Sequence, residues 1–70
     1  MIPLTMLRIG ETNSIKNIVG NDNTKCHLEH LGFVAGEAVT VVAELAGNLI
    51  VNVKDARIAL SKSMANRIMV

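Results

Sequence analysis

Aromatic side chains are almost absent: Phe33 is the only one, with no Tyr or Trp in the chain. That excludes the aromatic slots by which small domains grip proline-rich peptides. A single cysteine, Cys26, has no partner for an internal disulfide, which fits a reducing compartment. Charge of one sign is also missing. Seven Lys and Arg stand against six Asp and Glu, spread along the chain, so no field steers DNA, RNA or an anionic lipid surface and nucleic acid is not an expected partner. No apolar run approaches the ~18 residues of a membrane span. The stretch Met1 to Arg8 lacks the basic start and long apolar centre of a secretory signal, so the expectation is a soluble, cytoplasmic protein without direct membrane insertion. The glycines at 10, 20, 32, 36 and 47 are too dispersed to form a phosphate-cradling loop.

What is present is aliphatic. Half of the 70 residues are hydrophobic, and Ile, Val, Leu, Met and Ala supply nearly all of them. A chain of this length makes one domain and buries about 60% of its unfolded surface, so it folds alone with little stability to spare.

The most informative stretch runs from His30 to Val42. Leu28 and Leu31 close a short helical pattern and Gly32 follows, a residue that enters left-handed geometry cheaply and so stops a helix. With Gly32 at the C′ position, Phe33 falls at C″ and Leu28 at C3, the pair whose apolar contact accompanies a Schellman stop. Phe33 is therefore expected to be a packing anchor. Val34-Ala35-Gly36-Glu37 reads as a second turn with positive φ at Gly36, and the β-branched run Val39 to Val42 starts after it.

Along the chain, Pro3, Leu4 and Leu7 suit a single helical or 3₁₀ turn that lays both leucines on the core. Thr12 to Val19 reads as one strand with a bulge or strong bend, because Ile15 and Ile18 are three apart. Gly20 to Asn23 is a turn whose last polar residues, or Thr24, cap a helix over about Thr24 to Leu31. Val39 and Val41 face one side of a strand, Gly47-Asn48 reverses it, and Leu49, Val51 and Val53 alternate in the next. Lys54-Asp55-Ala56 turns again into a short strand Arg57 to Leu60, Ser61 to Asn66 makes one helical turn capped by Ser61 or Ser63, and Ile68 and Val70 belong to a closing strand. Five short strands around one brief helix, with glycine-marked turns, favour a small closed or partly closed barrel, since closure removes unpaired edges.

The order Gly10, Ile15, Ile18, a short helix, Leu28, Leu31-Gly32-Phe33, Gly36, Val39, then Arg57-Ile58-Ala59-Leu60, Ala65, Ile68 and Val70 resembles the FeoA family across essentially the whole chain. The resemblance implies one domain over residues 1–70, mainly β, a small SH3-like barrel of about five short strands with one short α-helix. Leu28, Leu31, Gly32, Phe33, Gly36, Arg57, Ala59 and Leu60 form its fold-determining motif. Two departures are visible. Ala35 stands where proline is common, a loss of about 0.4–1 kcal/mol of chain stiffening, and Asp55 stands where a turn glycine is common but is itself tolerant of left-handed geometry.

For function, the resemblance implies a cytoplasmic accessory or regulatory protein of bacterial ferrous iron uptake that associates with FeoB, a membrane GTPase-permease. Such a barrel, lacking Tyr and Trp, would dock on FeoB or on copies of itself through aliphatic surface or a free strand edge. Apolar residues around the helix and Glu44-Leu45-Ala46 either mark that contact or simply fill the core. The alternative implied is a metal-responsive sensing domain, because the barrel also resembles the C-terminal domain of DtxR-class repressors; without a helix-turn-helix or a basic face it would sense but not bind an operator.

The chemically suggestive cluster is Lys25-Cys26-His27-Leu28-Glu29-His30. On a helix Cys26 and His30 are i,i+4 neighbours and Glu29 lies at i+3 from Cys26, a partial site for a weakly held divalent transition metal. The plainer alternatives are a solvated helix face, and for His30 a cation at the helix C-terminus. Cys26 in an expected first turn, with His27 or His30 as base, raises a nucleophilic role, but no residue is placed to orient the base. No catalytic constellation is read, and an enzyme is not expected.

Overall fold

Alternating apolar residues account for most of the architecture, seen in a computed structural model that describes residues 1–70. Six strands form: β1 (Thr12–Ser14), β2 (Asn17–Ile18), β3 (Ala38–Leu45), β4 (Asn48–Val53), β5 (Ala56–Ser61) and β6 (Ile68–Met69). A 3₁₀ turn covers Leu4–Met6, and the helices are α1 (Asp22–His30) and α2 (Lys62–Ala65). One antiparallel sheet has the order β1-β3-β4-β5, and β2 pairs with β6 in a second. Together they make the expected small, mainly β barrel.

The expected five strands become six because the segment Thr12 to Val19 is not one bent strand. It breaks at Ile15-Lys16 and serves both sheets: Asn13 lies opposite Val39, whereas Ile18 lies opposite Ile68. Ile15 at the break is 1% exposed, so the three-residue spacing records a corner at which both isoleucines turn inward. The helical turn expected over Ser61 to Asn66 forms as α2, and its cap is Ser61, which accepts from the Met64 amide at 3.3 Å.

The core holds fifteen buried residues, all apolar, among them Leu4, Leu7, Leu28, Phe33, Val39, Val41, Leu49, Val51, Val53, Ala65 and Ile68. No polar side chain is buried there, so aliphatic packing around one ring carries the stability.

The helix stop has the expected geometry. Gly32 has φ +108°, its amide donates to Glu29 O at 3.0 Å, and the Phe33 amide donates to Leu28 O at 3.1 Å. Leu28 and Phe33 are both fully buried. These are the two bonds and the apolar pair of a Schellman motif. The helix start differs from expectation: Asn21 is the N-cap, accepting from the Thr24 amide at 2.8 Å, so α1 begins two residues before Thr24. Asparagine holds the extended backbone an N-cap needs, and Thr24 takes the receiving position instead.

Both hairpins have two-residue loops. Leu45 pairs with Asn48 around Ala46 and Gly47, and Val53 pairs with Ala56 around Lys54 and Asp55. All four loop residues have positive φ, the signature of type I′ turns. Asp55 takes left-handed geometry as expected, and Ala46 and Lys54 do so as well. In β3 the register shifts between Val41 and Ala43, a bulge that sets two residues against Ile50 and re-aims the hairpin tip.

Candidate functional site

Cys26, Glu29 and His30 project from the outer surface of α1 and are all exposed, as is His27. No three His, Cys, Asp or Glu side chains converge anywhere in the molecule to hold a metal ion. The shared helix face therefore does not become a cluster. Because α1 starts at Asp22, Cys26 also lies in the second turn rather than the first, and the free amides that would favour a thiolate are elsewhere.

The motif residues divide. Leu28, Phe33 and Leu60 are buried, Leu31 packs partly buried against them, and Gly36 has φ +92° in the turn closed by the Glu37 amide on Val34 O at 3.1 Å. Arg57 and Ala59 are exposed on β5. They point to the outer face of the sheet, opposite Asn52 and Ile50.

That outer face carries a polar row across all four strands. Thr12 lies opposite Thr40, Thr40 opposite Asn52, and Asn52 opposite Arg57. The Thr12 and Thr40 hydroxyls are 2.7 Å apart, and Arg57 Nε donates to Asn52 Oδ1 at 3.3 Å. Thr40, Asn52 and Arg57 of this row line a shallow, open hollow of about 710 Å³ whose remaining charged lining is Glu37, Lys54 and Asp55. Two cations balance two anions, and Lys54 Nζ sits 3.8 Å from Glu37 Oε1. An open, charge-balanced hollow has neither the enclosure nor the bias of a small-ligand site.

Exposed apolar residues concentrate elsewhere, at Met1, Ile2, Met6, Ile9, Val19 and Leu45. Met6 is 67% and Leu45 70% exposed, and the 3₁₀ turn that carries Met6 packs against α2. Thr5 Oγ1 bonds Asn66 Oδ1, tying the 3₁₀ turn to the end of α2, and Lys62 pairs with Glu44 at the β3-β4 tip. One end of the barrel thus presents a methionine and a leucine on either side of a short helix. Of the apolar segments singled out from sequence, the Glu44-Leu45-Ala46 turn is here and exposed. Met6 was missed, since its neighbours Leu4 and Leu7 are core and only the third face of the 3₁₀ turn points outward.

Fold and surface together define a small SH3-like barrel domain. The chain belongs to the FeoA family: residues 2–70 match the FeoA domain. It is similar to the crystal structure of an iron uptake regulatory protein, FeoA, at 32% identity over 99% of this chain and 92% of that one, with a TM-score of 0.89. It is equally similar, at 32% identity, to Stenotrophomonas maltophilia FeoA complexed with zinc, described as a prokaryotic SH3 domain protein; 100% of this chain and 89% of that one are covered, with a TM-score of 0.88. A manganese-dependent transcriptional repressor shares the fold at 23% identity, with 94% of this chain and 38% of that one covered and a TM-score of 0.84. No curated protein sequence matches the chain.

Proposed function

We propose that this protein is a non-enzymatic accessory domain of ferrous iron uptake, working at the cytoplasmic face by docking on a FeoB-type transporter. The observation that carries the reading is the FeoA match over residues 2–70. The S. maltophilia relative is described as a candidate activating factor of ferrous iron transport, which supports the same role here. No helix is long and apolar enough to cross a membrane, so the domain would meet the transporter through its surface, and the end formed by Met6, α2 and Leu45 supplies exposed apolar area for that contact.

The test is a pull-down of the purified protein against solubilised transporter, with and without ferrous iron and guanine nucleotide. Binding that Leu45→Asp with Met6→Ser abolishes, while the variant stays folded, is the expected result. Absence of binding under every condition overturns it. A second reading, a metal-responsive sensor, draws on the zinc complex of the relative and the repressor's shared fold. Its candidate ligands from sequence, Cys26, Glu29 and His30, do not converge in this structure, so stoichiometric metal binding without transporter binding would be needed to move it ahead.

A further inference from the structure

The outer edge of β5 is an open strand edge. Only β4 pairs with it, and no turn, loop or cap backbone hydrogen bond reaches residues 56–60. In a two-residue hairpin the closing pair, Val53 and Ala56, exchanges both its bonds, and antiparallel pairs then alternate. Ile58 and Leu60 therefore bond to β4, and the amides and carbonyls of Arg57 and Ala59 point away from it, unpaired. Such edges are commonly blunted by shortness, proline, a bulge or a charge aimed across the edge. At the other edge β1 is three residues long, whereas β5 has six, with no proline and no register shift. Its one charge, Arg57, reaches back across the sheet to Asn52, which clears the edge.

We infer that β5 is a self-complementary docking edge that pairs antiparallel with β5 of a second copy of this chain, centred on Ile58. The register follows from the side chains. Centring on Ile58 sets Arg57 opposite the small Ala59 of the other copy, twice, so four backbone bonds form with no guanidinium facing another. It also sets half-buried Ile58 against its own counterpart on the inner face, where both are near core residues. Centring on Arg57 would oppose two like charges. Centring on Ala59 would call on Ser61, whose carbonyl and hydroxyl already serve the N-terminus of α2. The result is a continuous eight-stranded sheet with two-fold symmetry. One short edge buries far less than the ~1,200 Å² of a stable interface, so association is weak. It is independent of the transporter reading.

The experiment is sedimentation of the intact protein from micromolar to millimolar concentration, with amide exchange followed at the same concentrations. Mass should rise towards twice the monomer value, and the Arg57 and Ala59 amides should gain protection in step while the Ile58 amide, bonded to β4, is protected throughout. Ala59→Pro removes an outward amide without removing a ladder bond, and Ala59→Arg opposes like charges; each should keep the protein monomeric with its fold retained. Ile58→Cys with Cys26→Ser should oxidise to a covalent dimer, since non-hydrogen-bonded pairs place Cα atoms about 4.5 Å apart, within disulfide reach. A monomer at millimolar concentration, a dimer untouched by both Ala59 variants, or edge amides whose exchange ignores concentration overturns the inference.

Discussion

Replacing Gly32 probes the point where α1 hands over to the rest of the barrel. The residue sits at φ +108°, outside the range L side chains favour, yet a Cβ there would meet Lys54 Cδ at 3.6 Å and Val53 Cγ1 at 3.8 Å, which is ordinary contact. Steric clash with neighbours is therefore not the cost; backbone strain is. For Gly32→Ala that strain is about 1–2 kcal/mol. Gly32→Val adds the stiffness of a β-branched side chain and should reach about 2–3 kcal/mol. A domain this small has about 3–5 kcal/mol in total, so valine removes roughly half of it, a fall in Tm on the order of 10–20 °C. Gly32→Asn should lose least, because asparagine tolerates left-handed geometry better than other side chains. Urea and thermal unfolding by circular dichroism read the series, with the order of stability Gly, Asn, Ala, Val. A valine variant within 0.5 kcal/mol of the parent, or an asparagine variant less stable than the valine one, would refute the assignment of the helix stop to conformational strain.

Three further outcomes are expected. Ala46→Asn, at a non-glycine loop position with φ +52°, should stabilise the β3-β4 hairpin by about 0.5–1 kcal/mol by creating the Asn-Gly pair that type I′ turns prefer, read as a raised urea midpoint. Phe33→Ala removes the only ring of a fully buried core and should cost about 3–5 kcal/mol, enough to leave the chain largely unfolded by circular dichroism at room temperature. Cys26→Ala with His30→Ala, both exposed, should change stability by less than about 0.5 kcal/mol and leave transporter capture intact, checked by melting and pull-down.

Legibility in the sequence followed the range of the interaction. The helix stop at Gly32, the turn at Gly36, the Asp55 loop and the inward alternation of Leu49, Val51 and Val53 rest on residues a few positions apart, and all were readable. The corner at Ile15 was not, because whether a three-residue apolar spacing is a bulge or a change of sheet depends on β6, some fifty positions away. Positive φ at Lys54 carried no compositional signal, and the turn there is imposed by the pairing of Val53 with Ala56. For the site, helical spacing put Cys26 and His30 on one face of α1, but a metal centre needs donors from other elements, and no group of three such side chains forms. The exposure of Arg57 and Ala59 likewise depends on β5 being an outer strand, which only the sheet order reveals.

The two ends of the chain are hydrogen-bonded to each other. The Ile2 amide donates to Val70 O at 3.0 Å, the Val70 amide donates to Ile2 O at 2.8 Å, and Pro3 bridges Met69. Entry and exit thus lie side by side, like the two leads of a plug. A barrel with that arrangement can be spliced into a loop of a host protein without stretching it, or joined end to end and reopened elsewhere by circular permutation. The same geometry makes the fold portable, which is consistent with a similar barrel standing alone in one protein and forming part of a longer repressor in another.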